Sequence, residues 1–231
     1  MDWNLIDHLI QEKSLLRHHF YIAWSEGKLT LDDLRFYAGE YYALETTFPR
    51  LLSRIHSACD DPEIRQGILE NLMDEEHGQN NHRELWLRFA EGLGLDREQV
   101  MNAPRHPATM QCIEQLKILA ANPNPAIGLA ALYAYESQLP AISRSKIAGL
   151  KDFYGINDPR AIEFFTVHEK TDVWHSEQEK SMLEALGATT EEVKSAVTAA
   201  CDALRGFLDG VDDETRVKRL GVDAAEDCMV N

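Results

Sequence analysis

Apolar residues recur at every third or fourth position along most of this 231-residue chain, and strand-like alternation is essentially absent. The stretch after Thr30 is typical, because Leu34, Tyr37, Tyr41 and Leu44 have the spacing that places side chains on one face of a helix. A chain with this pattern can bury its apolar faces only by packing helix against helix. The sequence therefore predicts an all-α fold.

Capping residues and prolines indicate where the helices begin. Asp61-Pro62 and Asp158-Pro159 each place a capping residue before a proline in the first helical turn. Seven helices are predicted, at about 5–25, from 31 along the Tyr37 stripe, 62–92, 108–121, 126–150 with a kink at Pro140, 159–187, and 190 to about 210. We expect them to form one bundle over residues 1–220, followed by a short tail, residues 221–231.

Three possible metal ligands lie on one face of the helix predicted after Asp158. His168, Asp172 and His175 are spaced by four and three residues, and seven residues complete nearly two turns. A helical scaffold could aim all three side chains into its interior. The same residues could instead belong to a charged surface helix, and spacing alone does not decide between the two.

Two further possible ligands, Glu75 and His82, lie upstream. On a continuous helix they would be about 10 Å apart along the axis, which is far for two ligands of one ion. Either a two-metal site or local unwinding at Gly78 would remove this difficulty. The neighbouring Glu76 and His77 are alternative ligands that spacing does not exclude.

Glu136 continues an apolar stripe in a segment, residues 126–135, that contains no other charge. A buried carboxylate costs several kcal/mol unless it is paired or bound to a metal. We therefore expect Glu136 to be a metal ligand, with an ion pair to Arg or Lys as the alternative.

Imidazole and carboxylate donors together favour iron or manganese over calcium or magnesium, and the lack of a thiolate argues against structural zinc. Six such donors would suit a dinuclear Fe or Mn centre that reacts with O2. The E-x2-H pairs of ferritin-like bundles are absent. The sequence predicts a metal-dependent redox enzyme of another helical type.

The chain contains 39 acidic and 23 basic residues, for a formal net charge of −16. This charge repels phosphate backbones and anionic membranes, so we expect no nucleic-acid or membrane partner. The first residues, Met1-Asp2-Trp3-Asn4, lack the basic and apolar regions of a signal peptide, and no apolar stretch approaches the roughly 18–20 residues of a membrane span. Cys59, Cys112, Cys201 and Cys228 form no CxxC pair. These features predict a cytoplasmic protein with buried, reduced thiols.

Five segments resemble the family of the chlamydial protein associating with death domains and its bacterial relatives, which are heme-oxygenase-like di-metal oxidases. The likeness spans about residues 7–208, and the TenA and PqqC families are similar more distantly. The segments are FYxxWSxGxLT (20–30), FPxxLSxIHSxCDD (48–61), LMDEExGxxNHxxLW (72–86), ALYxYESQxP (131–140) and FTxHExxDVxHxxxE (165–179).

The resemblance implies a heme-oxygenase-like fold, a homodimer, an external reductant and an Fe/Fe or Mn/Fe centre that reacts with O2. It assigns the ligands to Glu75, His82, Glu136, His168, Asp172 and His175. It further implies that 4-aminobenzoate for folate synthesis is made from the protein's own side chains, with Tyr21, Tyr37, Tyr135 and Lys146 at the family positions. We hypothesise that Tyr21 is consumed and that Lys146 supplies nitrogen, although packing explains Tyr37 and Tyr135 equally well and Lys146 could be an ordinary surface lysine.

Other functions remain as alternatives. A PqqC-like oxidase would oxidise a quinone precursor without a metal, and would leave six metal donors without a role. A TenA-like thiamin-salvage hydrolase needs an activated cysteine, for which the sequence gives no local context. A non-catalytic helical protein that binds a partner would not need Glu136 in an apolar stripe. Death-domain binding is not implied, because the cysteine-rich end of the chlamydial protein is absent here.

Overall fold

The structure, a computed structural model, describes residues 1–220. Within this range the chain is mostly helical and contains no β-strand, which confirms the all-α prediction. The helices are α1 Trp3–Glu12, α2 His19–Ser25, α3 Leu31–Glu45, α4 Phe48–Ala58, α5 Pro62–Glu76, α6 His82–Gly92, α7 Arg97–Asn102, α8 Pro107–Ala120, α9 Pro125–Glu136, α10 Leu139–Phe153, α11 Pro159–Ala185 and α12 Thr190–Leu220, with a 3-10 turn at Leu15–Arg17. The predicted tail, residues 221–231, and Cys228 lie outside the described residues.

The prediction of seven helices is wrong, because several predicted helices are divided. Ser14 caps the 3-10 turn and separates α1 from α2. Pro49 lies in the first turn of α4, and Pro140 lies in the first turn of α10. Proline starts a new helix more readily than it continues one, because it lacks the N–H that an interior position donates. Pro140 therefore marks a helix start where a kink was expected.

The ends of the chain's regular structure also differ from expectation. The short helix α7, which Asp96 caps, was not predicted. The last helix, α12, continues to Leu220, about ten residues beyond its predicted end near Gly210. The starts at Asp61-Pro62 and Asp158-Pro159 are confirmed, because each aspartate accepts hydrogen bonds from the first turn that follows it.

The break between α5 and α6 matters most for the candidate site. Gly78 has a φ of 83°, in the left-handed region that favours glycine. Asn81 then caps α6 by accepting from the Glu84 N–H, while its own amide donates to the Gly78 carbonyl at 2.9 Å. Helix α5 ends at Glu76 and α6 begins at His82, so Glu75 and His82 do not lie on one continuous helix and the expected 10 Å separation does not apply.

Helix α11 is the element around which the candidate site is assembled. It packs against α5, α6, α9 and α10. Beside it lies an aromatic core in which Trp24, Tyr37, Trp86 and Phe164 are fully buried. The Trp86 indole N–H donates to the Ala38 carbonyl at 2.8 Å. No helix among residues 1–220 combines the length and apolar character needed to cross a membrane.

The contact between α2 and α10 leaves no room for a methyl group at Gly149. An added Cβ would lie 2.6 Å from the Trp24 ring and 3.2 Å from the Trp24 carbonyl oxygen, whereas at Gly206 in α12 it would meet nothing within 4 Å. We predict that Gly149→Ala lowers the free energy of unfolding by about 1–2 kcal/mol. Gly206→Ala should raise it by up to about 1 kcal/mol through helix propensity. Urea denaturation of both variants measures the two changes, and a stabilised Gly149→Ala would contradict this packing.

Candidate metal centre and neighbouring lysine

Three helices bring together the first group of possible metal ligands. Glu75 comes from the end of α5, His82 from the start of α6 and His168 from α11, and one donor atom of each lies within 4.8 Å of the others. His82 Nδ1 is 2.8 Å from Glu75 Oε1, and the two imidazole rings are 4.3 Å apart between centroids. All three side chains are buried. We call this group the first triad.

The second triad consists of Glu136, Asp172 and His175, which are also buried. Glu136 is the last residue of α9, whereas Asp172 and His175 lie on α11, one and two turns beyond His168. His175 Nδ1 lies 3.5 Å from Glu136 Oε1 and 3.5 Å from Asp172 Oδ1. Continuity of α11 through both triads places the two groups next to each other, as a dinuclear site requires.

Hydrogen bonds fix which imidazole nitrogens are free to bind an ion. His168 Nδ1–H donates to the Phe164 carbonyl at 2.8 Å, which leaves Nε2 free. His175 Nε2–H donates to Asp74 Oδ2 at 3.1 Å, which leaves Nδ1 facing the carboxylates. Partners of this kind orient histidine ligands in metalloproteins. The Asn71 amide similarly holds both Glu136 oxygens, at 3.0 and 3.2 Å.

Several donor atoms of the two triads are buried without a hydrogen-bond partner. They include Asp172 Oδ2 and two imidazole nitrogens, His82 Nδ1 and His175 Nδ1, which lie near carboxylate oxygens without hydrogen-bond geometry. Burying such atoms without a partner is costly, and an ion bound between them would remove the cost. Nitrogen and oxygen donors in equal number, with no sulfur, are the ligands that iron and manganese accept. The residues present therefore fit a pair of such ions.

The charges in the triads depend on one another. Burial alone lowers the pKa of His175, but Asp172 and Glu136 outweigh it and raise that pKa to about 10. At His82, burial likewise lowers the pKa, but the Glu75 carboxylate outweighs this effect and raises the pKa of His82 to about 9. Burial raises the pKa of Asp172 to about 7. Without an ion, protons on the imidazoles balance the carboxylates, so an arriving metal has to displace them.

Lys146 lies in the aromatic core beside the triads, so it is not the ordinary surface lysine that the sequence left open. It is buried, and its Nζ is near the centroids of six aromatic rings, namely those of Tyr37 at 4.5 Å, Tyr21 at 5.0 Å, Phe165 at 5.2 Å, Tyr41 at 5.3 Å, Trp24 at 5.5 Å and Trp86 at 5.8 Å. Burial lowers the pKa of Lys146 well below its usual value, which favours the neutral amine.

Hydroxyl groups link this lysine to the candidate tyrosines. The Lys146 amine donates to the Tyr37 hydroxyl, which lies 3.1 Å from the Tyr21 hydroxyl. Tyr135 is hydrogen-bonded to Tyr41 and directly precedes Glu136 of the second triad. Burial is the main cause of a raised pKa at Tyr21, Tyr37 and Tyr135, so these phenols keep their protons.

Two buried carboxylates near the triads were not singled out from the sequence. Glu45, the last residue of α3, has an unpartnered Oε1, and Glu179 on α11 has two unpartnered oxygens. The helical spacing of both residues could have indicated that they face the core. Glu45 follows Tyr41 by four residues on the core-facing stripe, and Glu179 follows His175 by four. Each was hidden among other acidic residues in the same segment.

Comparison with known proteins agrees with the character of this site. A family model described as an iron-containing redox enzyme matches residues 35–205. A protein of Nitrosomonas europaea named 4-aminobenzoate synthase is 43% identical over 218 residues, which cover 89% of each chain. One of the same name from Chlamydia trachomatis is 41% identical over 205 residues, or 88% of this chain and 89% of that relative.

The expected fold is confirmed by a solved structure. A domain of unknown function with a heme oxygenase-like fold, from Shewanella denitrificans, superposes with a TM-score of 0.77. It covers 95% of this chain and 94% of its own, at 22% sequence identity, so the likeness concerns the fold alone. On the strength of the family match and of the two close relatives, this chain belongs to the heme-oxygenase-like family of iron-containing redox enzymes and is an oxidoreductase.

Proposed function

We propose that this protein is an O2-dependent di-metal oxidase that forms 4-aminobenzoate for folate synthesis from its own Tyr21 and Lys146. The observation that carries the proposal is the buried Lys146 amine, whose Nζ lies 5.0 Å from the centre of the Tyr21 ring, in the core that adjoins both triads. A surface lysine would not need this position. The name shared by the two close relatives supports the same product.

The metal ions would be held by the first and second triads, as an Fe/Fe or an Mn/Fe pair. Bound there, they would supply O2 activation and the oxidising power for cleavage of a side chain, with electrons returned by an external reductant. The buried, oriented imidazoles and carboxylates described above support this assignment of Glu75, His82, Glu136, His168, Asp172 and His175.

Lys146 would act as the nitrogen donor because burial favours the neutral form of its amine. An ammonium ion has no lone pair with which to form a carbon–nitrogen bond, and burial disfavours the charged form. The surrounding rings exclude water, so they maintain this condition and also hold the amine close to Tyr21. A lysine in solvent would be protonated at neutral pH.

Tyr37 would act as a positioning residue between donor and ring. Its oxygen accepts from the Lys146 amine, so its own O–H is available to donate to Tyr21 at 3.1 Å. Tyr135 pairs with Tyr41 next to the second triad, where it would bridge the phenolic cluster and the metal pair. We also propose, from the resemblance, that the protein acts as a cytoplasmic homodimer.

The rival functions account for less of the structure. A metal-free oxidase leaves both triads without a purpose, despite the unpartnered donor atoms in each. A hydrolase with a cysteine nucleophile requires an accessible thiolate, whereas Cys59, Cys112 and Cys201 are buried. Burial raises the pKa of the Cys112 thiol to about 12, so it stays protonated.

Complementation of a bacterial strain unable to make 4-aminobenzoate tests the proposed function. The wild-type gene should restore growth, whereas His168→Ala should abolish it. Loss of a residue that only hydrogen-bonds to a metal ligand typically lowers activity by about 10- to 100-fold, so loss of an imidazole ligand should lower product formation by at least about 100-fold. His77→Ala is the matched control, since His77 is exposed and belongs to neither triad. Equal growth with wild type and His168→Ala, at equal protein levels, would contradict the proposal.

Isotope labelling tests which residues are consumed. Protein grown with ¹⁵N-lysine, then given Fe(II), Mn(II), reductant and O2, should release ¹⁵N-labelled 4-aminobenzoate. Peptide mass spectra should show altered mass at Tyr21 and Lys146 in proportion to product. Lys146→Arg should release none, while Lys151→Arg, an exposed change on the same helix, should match wild type. Unlabelled product from protein with intact Tyr21 and Lys146 would disprove their consumption.

A further inference from the structure

Glu179 lies on the same face of α11 as the known candidate ligands. It follows His175 by four residues, one turn further along the same helical face, and its side chain contacts Glu136, as that of His175 does. Its side chain is buried, with 1% of its surface exposed. The resemblance to the family did not assign it a role, and neither does the product proposed above.

No cation compensates this carboxyl group among the described residues. Its side chain contacts that of Glu136, which is another acid, and neither Glu179 oxygen has a donor with hydrogen-bond geometry. Lys180, the next residue, pairs with Asp7 at 3.3 Å and not with Glu179. Two carboxyl groups buried against each other without a cation are costly, and a cation between them would be stabilising.

We propose that Glu179 is a fourth protein ligand of the ion held by the second triad. That triad offers one nitrogen and two carboxylates, whereas the first offers two nitrogens and one carboxylate. With Glu179 the second ion would have one nitrogen and three carboxylate ligands. This oxygen-rich set suits a hard ion such as Mn(II) or Fe(II), and it leaves the first triad unchanged.

Binding of Mn(II), measured anaerobically by the EPR signal of the free ion, tests the proposal. Wild type should bind two ions. Glu179→Gln keeps the size of the side chain but loses a ligand, so one of the two sites should weaken about tenfold or more while the other keeps its affinity. Glu177→Gln is the matched control, because this neighbour is largely exposed, and it should bind as wild type does. Equal affinities in Glu179→Gln and wild type would overturn the proposal.

A second variant separates ligation from a charge acting through space. Glu179→Asp keeps the charge but shortens the side chain by one methylene, so a lost ligand should leave the site weak. Full recovery of affinity in Glu179→Asp would overturn ligation. If neither variant folds, a crystal of Mn(II)-loaded wild type decides the question, since a Glu179 oxygen should coordinate the second ion and a Glu179 that avoids it would overturn the proposal.

This inference rests on the proposed metal site, and its failure can be distinguished from failure of that site. Wild type that binds no Mn(II) would contradict both. Wild type that binds two ions, together with an unaffected Glu179→Gln, would contradict only the role of Glu179. Thermal melting adds a check on folding, because Mn(II) should raise the melting temperature of wild type more than that of Glu179→Gln.

Discussion

The burial of three imidazoles and three carboxylates in one helical core is the constraint on which the rest of this structure depends. Each such group loses its hydration, which costs several kcal/mol unless another charge or an ion replaces the water. The two triads meet this cost in part by pairing histidines with carboxylates. Several donor atoms in the triads still lack a hydrogen bond, so this pairing is incomplete. We infer that stability and function conflict here, because a core of apolar residues would be the more stable alternative.

Helix ends solve the geometric part of the problem. One continuous helix, α11, supplies three of the six donors, and the others come from breaks that surround it. Glu75 is next to last in α5, His82 is first in α6 and Glu136 is last in α9. Lys146 lies on α10, which begins after the break at Ser137–Gln138, and its side chain extends into the aromatic core. The same breaks that raise the helix number above seven therefore bring the donors and the lysine together.

Much of this could be predicted from the sequence, and the omissions have physical causes. Apolar spacing and the Asp-Pro starts predicted the helical class and the beginnings of α5 and α11, because capping is a local interaction. Residues 75–82 could not be placed from spacing, since whether Gly78 bends or ends a helix depends on tertiary packing. Lys146 gave no local sign of burial, because its six aromatic neighbours come from four other helices. Glu179 was not singled out because its segment contains several other charged residues. Family resemblance supplied the choice between Glu75 and Glu76, which spacing left open.

Anomalous diffraction from crystals loaded anaerobically with Fe(II) and Mn(II) tests the central claim most directly. Data collected at the absorption edges of both metals locate each ion and identify its element without reference to any product. This account predicts two ions, one coordinated by Glu75, His82 and His168, and the other coordinated by Glu136, Asp172 and His175. Crystals in which these six side chains keep their mutual contacts, with no metal between them at either edge, would contradict it.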